Sequence, residues 1–143
     1  MTSPVGVADA WGAVAGQAHL VALLRQAVRE DQVTHAFVLC GDAGLGQREL
    51  SRAFTAALNC PVSADGAGCG ACDVCLRIAR GVHPAVIELE PDGASHVVAD
   101  VREVWIPAAT VTMTEGRRRV IRIMDADTMN VATQNALLKL LEE

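Results

Sequence analysis

Four cysteines, Cys60, Cys69, Cys72 and Cys75, follow the spacing C-x8-C-x2-C-x2-C. Two Cys-x-x-Cys steps in succession bring four soft thiolates within reach of one tetrahedral ion, and Gly66, Gly68 and Gly70 let the backbone bend around it. Zinc suits this ligand set best. Disulfides, disfavoured in a reducing compartment, and an iron–sulfur cluster, for which no redox partner motif is present, are the competing readings. Four thiolates leave no open coordination position, so such a centre folds a polar loop and does not catalyse. The remaining cysteine, Cys40, ends a short apolar run and reads as a small core residue.

A second group of residues has the spacing of phosphate chemistry. In GDAGLGQR, Gly41, Gly44 and Gly46 stand where a phosphate-binding loop of the form G-x-x-x-x-G-K-[ST] puts its glycines. Such a loop wraps phosphates with backbone N–H groups, neutralises them with lysine and holds magnesium through the hydroxyl. Here Gln47 replaces the lysine and Arg48 the hydroxyl. A neutral amide and a cation that cannot ligate a metal remove most of the electrostatic stabilisation that phosphoryl transfer needs. Arg48 is a poor surrogate, because helical geometry turns it about 100° from Gln47. The loop alone also reads as a plain strand-to-helix turn, and weak anion or ATP or ADP binding at the helix start does not depend on Gln47.

VIRIMDAD supplies a separate test. Asp125 ends an apolar strand, as a magnesium-holding aspartate does, but Ala126 follows it where hydrolysing enzymes carry a water-orienting glutamate. By itself Asp125 reads equally as a helix-capping or strand-terminal carboxylate. Together the replacements predict no catalytic residue and a degenerate nucleotide site formed by Gly41, Gly44, Gly46, Gln47, Arg48 and Asp125.

The elements that must position these groups follow from periodicity. Leu20, Leu23, Leu24, Ala27 and Val28 give a helix over 17–30, and Ala36–Cys40 reads as a strand buried on both faces. A helix over 48–58 follows the glycine loop, and LRIARG suggests a short helix stopped by Gly81. AVIELE and RRVIRIMD mark two more strands. Between them 97–109 is helical with an interruption expected at Pro107. Ala132, Ala136, Leu137, Leu140 and Leu141 make one face of a last helix. Alternating strands and helices predict an α/β fold with an open parallel sheet. Residues 1–13 read as a flexible leader, 14–143 as the core, and 60–75 as a metal-binding insertion.

Composition sets the outer bounds. The chain has 143 residues, 51% of them hydrophobic and 20% charged, enough for one core. A net charge of -5 excludes a strong overall field for DNA, and Arg117, Arg118 and Arg119 read as a solvated turn. The first basic residue is Arg25, so the charged start of a secretory signal is missing; the longest uncharged stretch, Ala10 to Leu24, is short of the roughly 20 apolar residues of a membrane span. A cytoplasmic protein is expected. His19, His35, His83 and His96 show no ligand spacing, and Trp11 and Trp105 read as core or rim anchors.

These motifs jointly resemble the bacterial DNA polymerase III clamp-loader subunits, which are AAA+ proteins. VAGQ (Val14 to Gln17) resembles the family's N-terminal element, THAFVLCGDAGLGQ its strand and phosphate loop, CGACDVCLRIARGVHP its zinc module, and TQNALLKLLEE the helix after the aspartate strand. The resemblance implies a P-loop AAA+ sheet flanked by helices with a small zinc insertion, and structural zinc. It also implies partners: gamma/tau and delta subunits, the sliding clamp indirectly, and primed DNA through the complex. Within the family the motor subunits keep the lysine, hydroxyl and glutamate, whereas the delta-prime kind often lacks them, as Gln47, Arg48 and Ala126 do here. The implied role is a non-hydrolysing stator in clamp loading; the alternatives are an ATP-hydrolysing gamma/tau-type motor and a zinc-dependent ATPase outside replication. In this family the strand after LLEE lies between the two motif strands. The sheet is therefore expected to be incomplete, with the gap closed directly, filled by a strand-swapped second copy, or left as exposed edges.

Overall fold

VIEL and VIRI, rich in β-branched residues, form β1 (Val86–Leu89) and β2 (Val120–Ile123). They pair in parallel, Val86 opposite Val120 and Glu88 opposite Arg122. In the computed structural model, which describes residues 9–14, 16–62 and 65–142, these two strands are the whole sheet among the described residues. Side chains alternate across the sheet. Ile87, Leu89, Ile121 and Ile123 face a layer made by Val101, Trp105, Ala136, Leu137 and Leu140. Val86, Glu88 and Arg122 face the other layer, α2 (Gln47–Asn59) and α3 (Asp73–Ala79). Helices on both faces of a parallel pair are the α/β architecture expected, in miniature.

The crossover between the strands holds α4 (Val98–Asp100) and α5 (Ile106–Thr110). Pro107 does not interrupt the helical path. It sits in the first turn of α5, and the wider π turn Val101–Trp105, closed by the Ile106 N–H on the Val101 carbonyl, leads into it. α1 (Ala18–Arg29) packs Val21, Leu24 and Val28 against Leu50 and Phe54 of α2, but Leu20 and Leu23 are exposed. α6 (Val131–Glu142) buries Ala136, Leu137 and Leu140 against the sheet layer, while Ala132 and Leu141 are exposed, a narrower face than the periodicity predicts. No described helix is long and apolar enough to cross a membrane.

Two further expectations change. Ala36–Cys40 is not a strand buried on both faces: Val38 is 80% exposed and Cys40 is exposed, so Cys40 is not a core residue. A strand needs a neighbour for its backbone. Among the described residues β2 bonds only β1, and the gap is not closed directly; only Phe37, edge-on to Phe54 at 5.1 Å, and Leu39 hold the run to α2. Residues 1–8 lie outside the described residues, and Ala10–Ala13 form a 3-10 turn that buries Trp11. The arginine run is a turn with partners. The amides of Arg117 and Arg118 donate to buried Asn59 Oδ1 at 2.9 and 3.0 Å, Arg118 pairs with Asp31, and Arg119 donates to the carbonyls of Ala109 and Val111.

Arg122 joins α2 to both strands. It is 5% exposed, pairs with Glu88, and donates through Nε and Nη2 to Ser51 Oγ at 3.0 and 2.7 Å and through Nη2 to the Arg48 carbonyl at 3.1 Å. Burial pulls its pKa below the usual arginine value, with Glu88 opposing. A guanidinium in this position must keep its carboxylate. Glu88→Ala is expected to destabilise by about 3–5 kcal/mol, and the joint replacement Glu88→Met with Arg122→Met by much less; urea unfolding of the variants measures the difference.

His83 is buried where the chain enters β1, its Nδ1 accepting from the Ala85 amide at 3.1 Å. Burial, then the Arg77 charge, lowers its pKa. The unfolded ring therefore binds a proton more readily than the folded one. Stability from this residue is present above the unfolded value of about 6.5 and is lost as pH falls below it. The urea midpoint should drop between neutral and mildly acidic pH, and His83→Asn, which keeps an acceptor, should reduce that slope.

Candidate functional site

The cysteine spacing produces a real cluster because two helix ends deliver it. Cys60 caps the end of α2, its amide on the Ala56 carbonyl at 2.8 Å, and is fully buried. Cys72 caps the start of α3, accepting from the Cys75 amide at 3.4 Å, and Cys75 lies in the first turn. Cys69 comes from the glycine segment between them. All four Sγ atoms lie within 4.8 Å of one another, and Cys60 and Cys72 are 3.9 Å apart. A tetrahedral ion bound to sulfur at about 2.3 Å needs sulfurs about 3.8 Å apart, so the four can hold one metal ion with little movement. The thiols are free.

Backbone amides already point at the sulfurs. Cys60 Sγ accepts from Cys69 N at 3.4 Å, and Cys69 Sγ accepts from Ala71 N at 3.5 Å and Cys72 N at 3.2 Å. The Ala71 and then the Cys72 amide pull the Cys69 thiol down to about 7. Burial pushes Cys72 and Cys75 up. Amides aimed at the sulfurs would stabilise thiolates, and a bound cation would favour ionisation of the thiols that burial disfavours.

The glycine loop lies at the start of α2, with Gly46 in the left-handed region (φ 91°) as its N-cap. The Gln47 amide folds back and donates to the Asp42 carbonyl at 2.8 Å, and a Cβ on Gly41 would lie 3.1 Å from the Gln47 Nε2. Gln17, from the N-terminal element, donates to the Leu45 carbonyl at 3.4 Å. Arg48 turns away to pair with Glu90 beyond β1, which holds the guanidinium more firmly protonated and lowers the Glu90 carboxyl below the usual range. Asp125 follows β2 with φ 50° and ψ 46°, and its side chain caps no backbone N–H, so the capping reading does not describe it. It follows β2 as Glu90 follows β1, and the two strands run parallel, so Asp125 and the Arg48–Glu90 pair stand at the same end of the sheet. Gly41, Gly44, Gly46, Gln47, Arg48 and Asp125 thus gather at one end of the β1–β2 pair, away from the cysteines.

His96 has a structural role that the sequence pattern does not mark. It is buried, bonds the Met124 carbonyl through Nε2, stands edge-on to Trp105 at 5.1 Å, and receives Thr133 Oγ1 on its own carbonyl at 3.4 Å. It fastens the Asp125 turn to the start of α6. No ligand spacing marks it, and the only signal is its place between a strand end and a helix.

Comparison with known proteins gives the architecture a lineage. The family model described as "DNA polymerase III, delta subunit" matches residues 16–143. A DNA polymerase III subunit delta' of Pseudomonas aeruginosa is 39% identical over 114 residues, 78% of this chain and 34% of that protein. A DNA polymerase III subunit gamma/tau of Mycobacterium tuberculosis is 33% identical over 131 residues, 91% of this chain and 22% of the relative. The tau subunit of Escherichia coli is 31% identical over the same length, covering 20% of that subunit. The chain therefore spans about a third of the delta' relative and less of the others. With the family match running over nearly all of its length, the chain belongs to the DNA polymerase III delta subunit family of clamp-loader subunits.

Proposed function

We propose that this chain is the N-terminal AAA+ core of a non-hydrolysing, delta'-type clamp-loader subunit, working as a stator beside gamma/tau and delta subunits while the sliding clamp is loaded onto primed DNA in the cytoplasm. The observation that carries this reading is the Gln47 amide, which satisfies itself on the Asp42 carbonyl where a phosphate-gripping ammonium belongs. Arg48 supports it by pairing with Glu90, and Ala126 by offering a methyl group where a water is oriented. Without these charges the loop has little with which to stabilise a transferring phosphoryl group. The backbone donors at the start of α2 leave ATP or ADP binding without turnover compatible with this role.

The second reading is a gamma/tau-type motor, favoured by the longer stretch matched in the gamma/tau relatives, 131 residues against 114 for delta'. Single-turnover ATP hydrolysis in the assembled full-length complex separates the two. Gln47→Ala should leave the rate within about twofold; a motor that uses this loop would lose about 100-fold, the scale of removing one stabilising donor. A large loss overturns the stator.

For Cys60, Cys69, Cys72 and Cys75 we assign structural zinc. Four thiolates with inward amides suit zinc and leave no place for a substrate. When bound, the ion would tie α2 to α3. The full-length protein is expected to carry one zinc per chain by elemental analysis. Cys72→Ser should lower that content and cost more than about 4 kcal/mol, the loss attached to removing a structural metal; iron in place of zinc, or cysteines that resist alkylation in the chelated protein until reduced, would overturn the assignment.

A further inference from the structure

Trp11 is where the N-terminal turn, the α1–α2 core and the cysteine segment meet. Its indole is 4% exposed, lies against Phe54 with ring centroids 6.5 Å apart, and gives its one N–H to the Gly66 carbonyl at 3.0 Å. One residue earlier, the Ala10 amide donates to the Gly68 carbonyl at 2.8 Å. Asp9 closes the clasp: Oδ1 accepts from the Trp11 amide at 3.0 Å, and the carboxylate pairs with Arg25 of α1. Both acceptor carbonyls belong to the segment between the first two cysteines.

That segment has almost no room around it. A Cβ on Gly66 would come within 2.2 Å of the Arg25 carbonyl oxygen, and one on Gly68 within 2.9 Å of Ala56 Cβ and 3.1 Å of Ala10 Cβ. Its described residues, 60–62 and 65–69, include no helix or strand that would fix the two carbonyls by itself. Apart from an exposed Arg29–Asp65 pair at 3.3 Å and Ala67 against the α1–α2 core, the segment is held by its ends: Cys60, anchored on α2, and Cys69, whose amide donates to Cys60 Sγ at 3.4 Å. Closing such a loop without a cross-link costs chain entropy, and a metal clip offsets that cost.

We propose that the metal held by the four cysteines also docks the N-terminal turn: metal-bound thiolates set the Gly66 and Gly68 carbonyls where Trp11 Nε1 and Ala10 N reach them, and metal loss undocks Asp9–Ala13 from α1 and α2. This rests on the metal reading above and adds a coupling to it. Linkage makes the effect reciprocal, so a weakened Trp11 contact must weaken metal retention.

Hydrogen exchange of the full-length protein, zinc-loaded and chelator-stripped, reads the first half. Amides of residues 10–14 should lose protection by at least about tenfold on stripping while those of α6 keep theirs. The second half is read by zinc release from Trp11→Phe to a chromophoric chelator. Losing the indole N–H but keeping a ring should speed release about three- to tenfold at unchanged stoichiometry. If the protein binds one zinc, yet Trp11→Phe releases it at the unaltered rate or residues 10–14 stay protected after stripping, the coupling is wrong and the metal reading stands. A protein that binds no metal overturns both. If stripping unfolds α6 as well, the release rate of Trp11→Phe decides.

Discussion

A charged guanidinium inside a protein is tolerated only when a carboxylate and acceptors surround it, and Arg122 sets that condition for the whole α2 side of the molecule. Its partner Glu88 sits on the neighbouring strand, its acceptors on the first turns of α2. Parallel register therefore matters beyond backbone pairing. A one-residue slip would turn the arginine into the apolar layer of Trp105 and Leu140 and leave Glu88 without its cation. The same bracket holds the start of α2, and with it the glycine loop, at the end of the strands where Asp125 stands. What resembles a nucleotide site is thus positioned by a buried ion pair between the two strands.

Local spacing made much of this legible. The helical repeats of α1 and α2, the β-branched runs of β1 and β2, and the convergence of four cysteines all depend on residues near one another in the chain. What escaped depends on partners far away. AFVLC has every local mark of a strand, yet pairing requires a neighbour that local pattern does not supply. Trp11 reads as an anchor from its type alone, but what it anchors to, Phe54 and Gly66, lies more than forty residues on and leaves no local mark. The third residues of VIEL and VIRI carry opposite charges, a signal of their pairing that becomes readable only once the register is known.

The two candidate centres occupy opposite ends of α2. Gly46 opens the helix and Cys60 closes it, so a single rigid element separates the glycine loop from the thiol cluster. The cluster joins α2 to α3, and Arg77 of α3 carries that connection onward by two bonds to Glu115, beside the turn that leads into β2. Asn59, next to Cys60, receives the amides of Arg117 and Arg118 in the same turn. The cysteine segment is therefore tied into the body at the end of the sheet where β2 begins, remote from the glycine loop where β2 ends.

Cys40 stands alone in this respect, a solvent-facing sulfhydryl one residue before the glycine loop and outside the cluster of four. In the metal-loaded protein the other sulfurs would be shielded by coordination, so a maleimide dye or spin label would attach selectively there. The chain thus carries a native handle for spectroscopy at the start of the glycine loop, without an engineered attachment point.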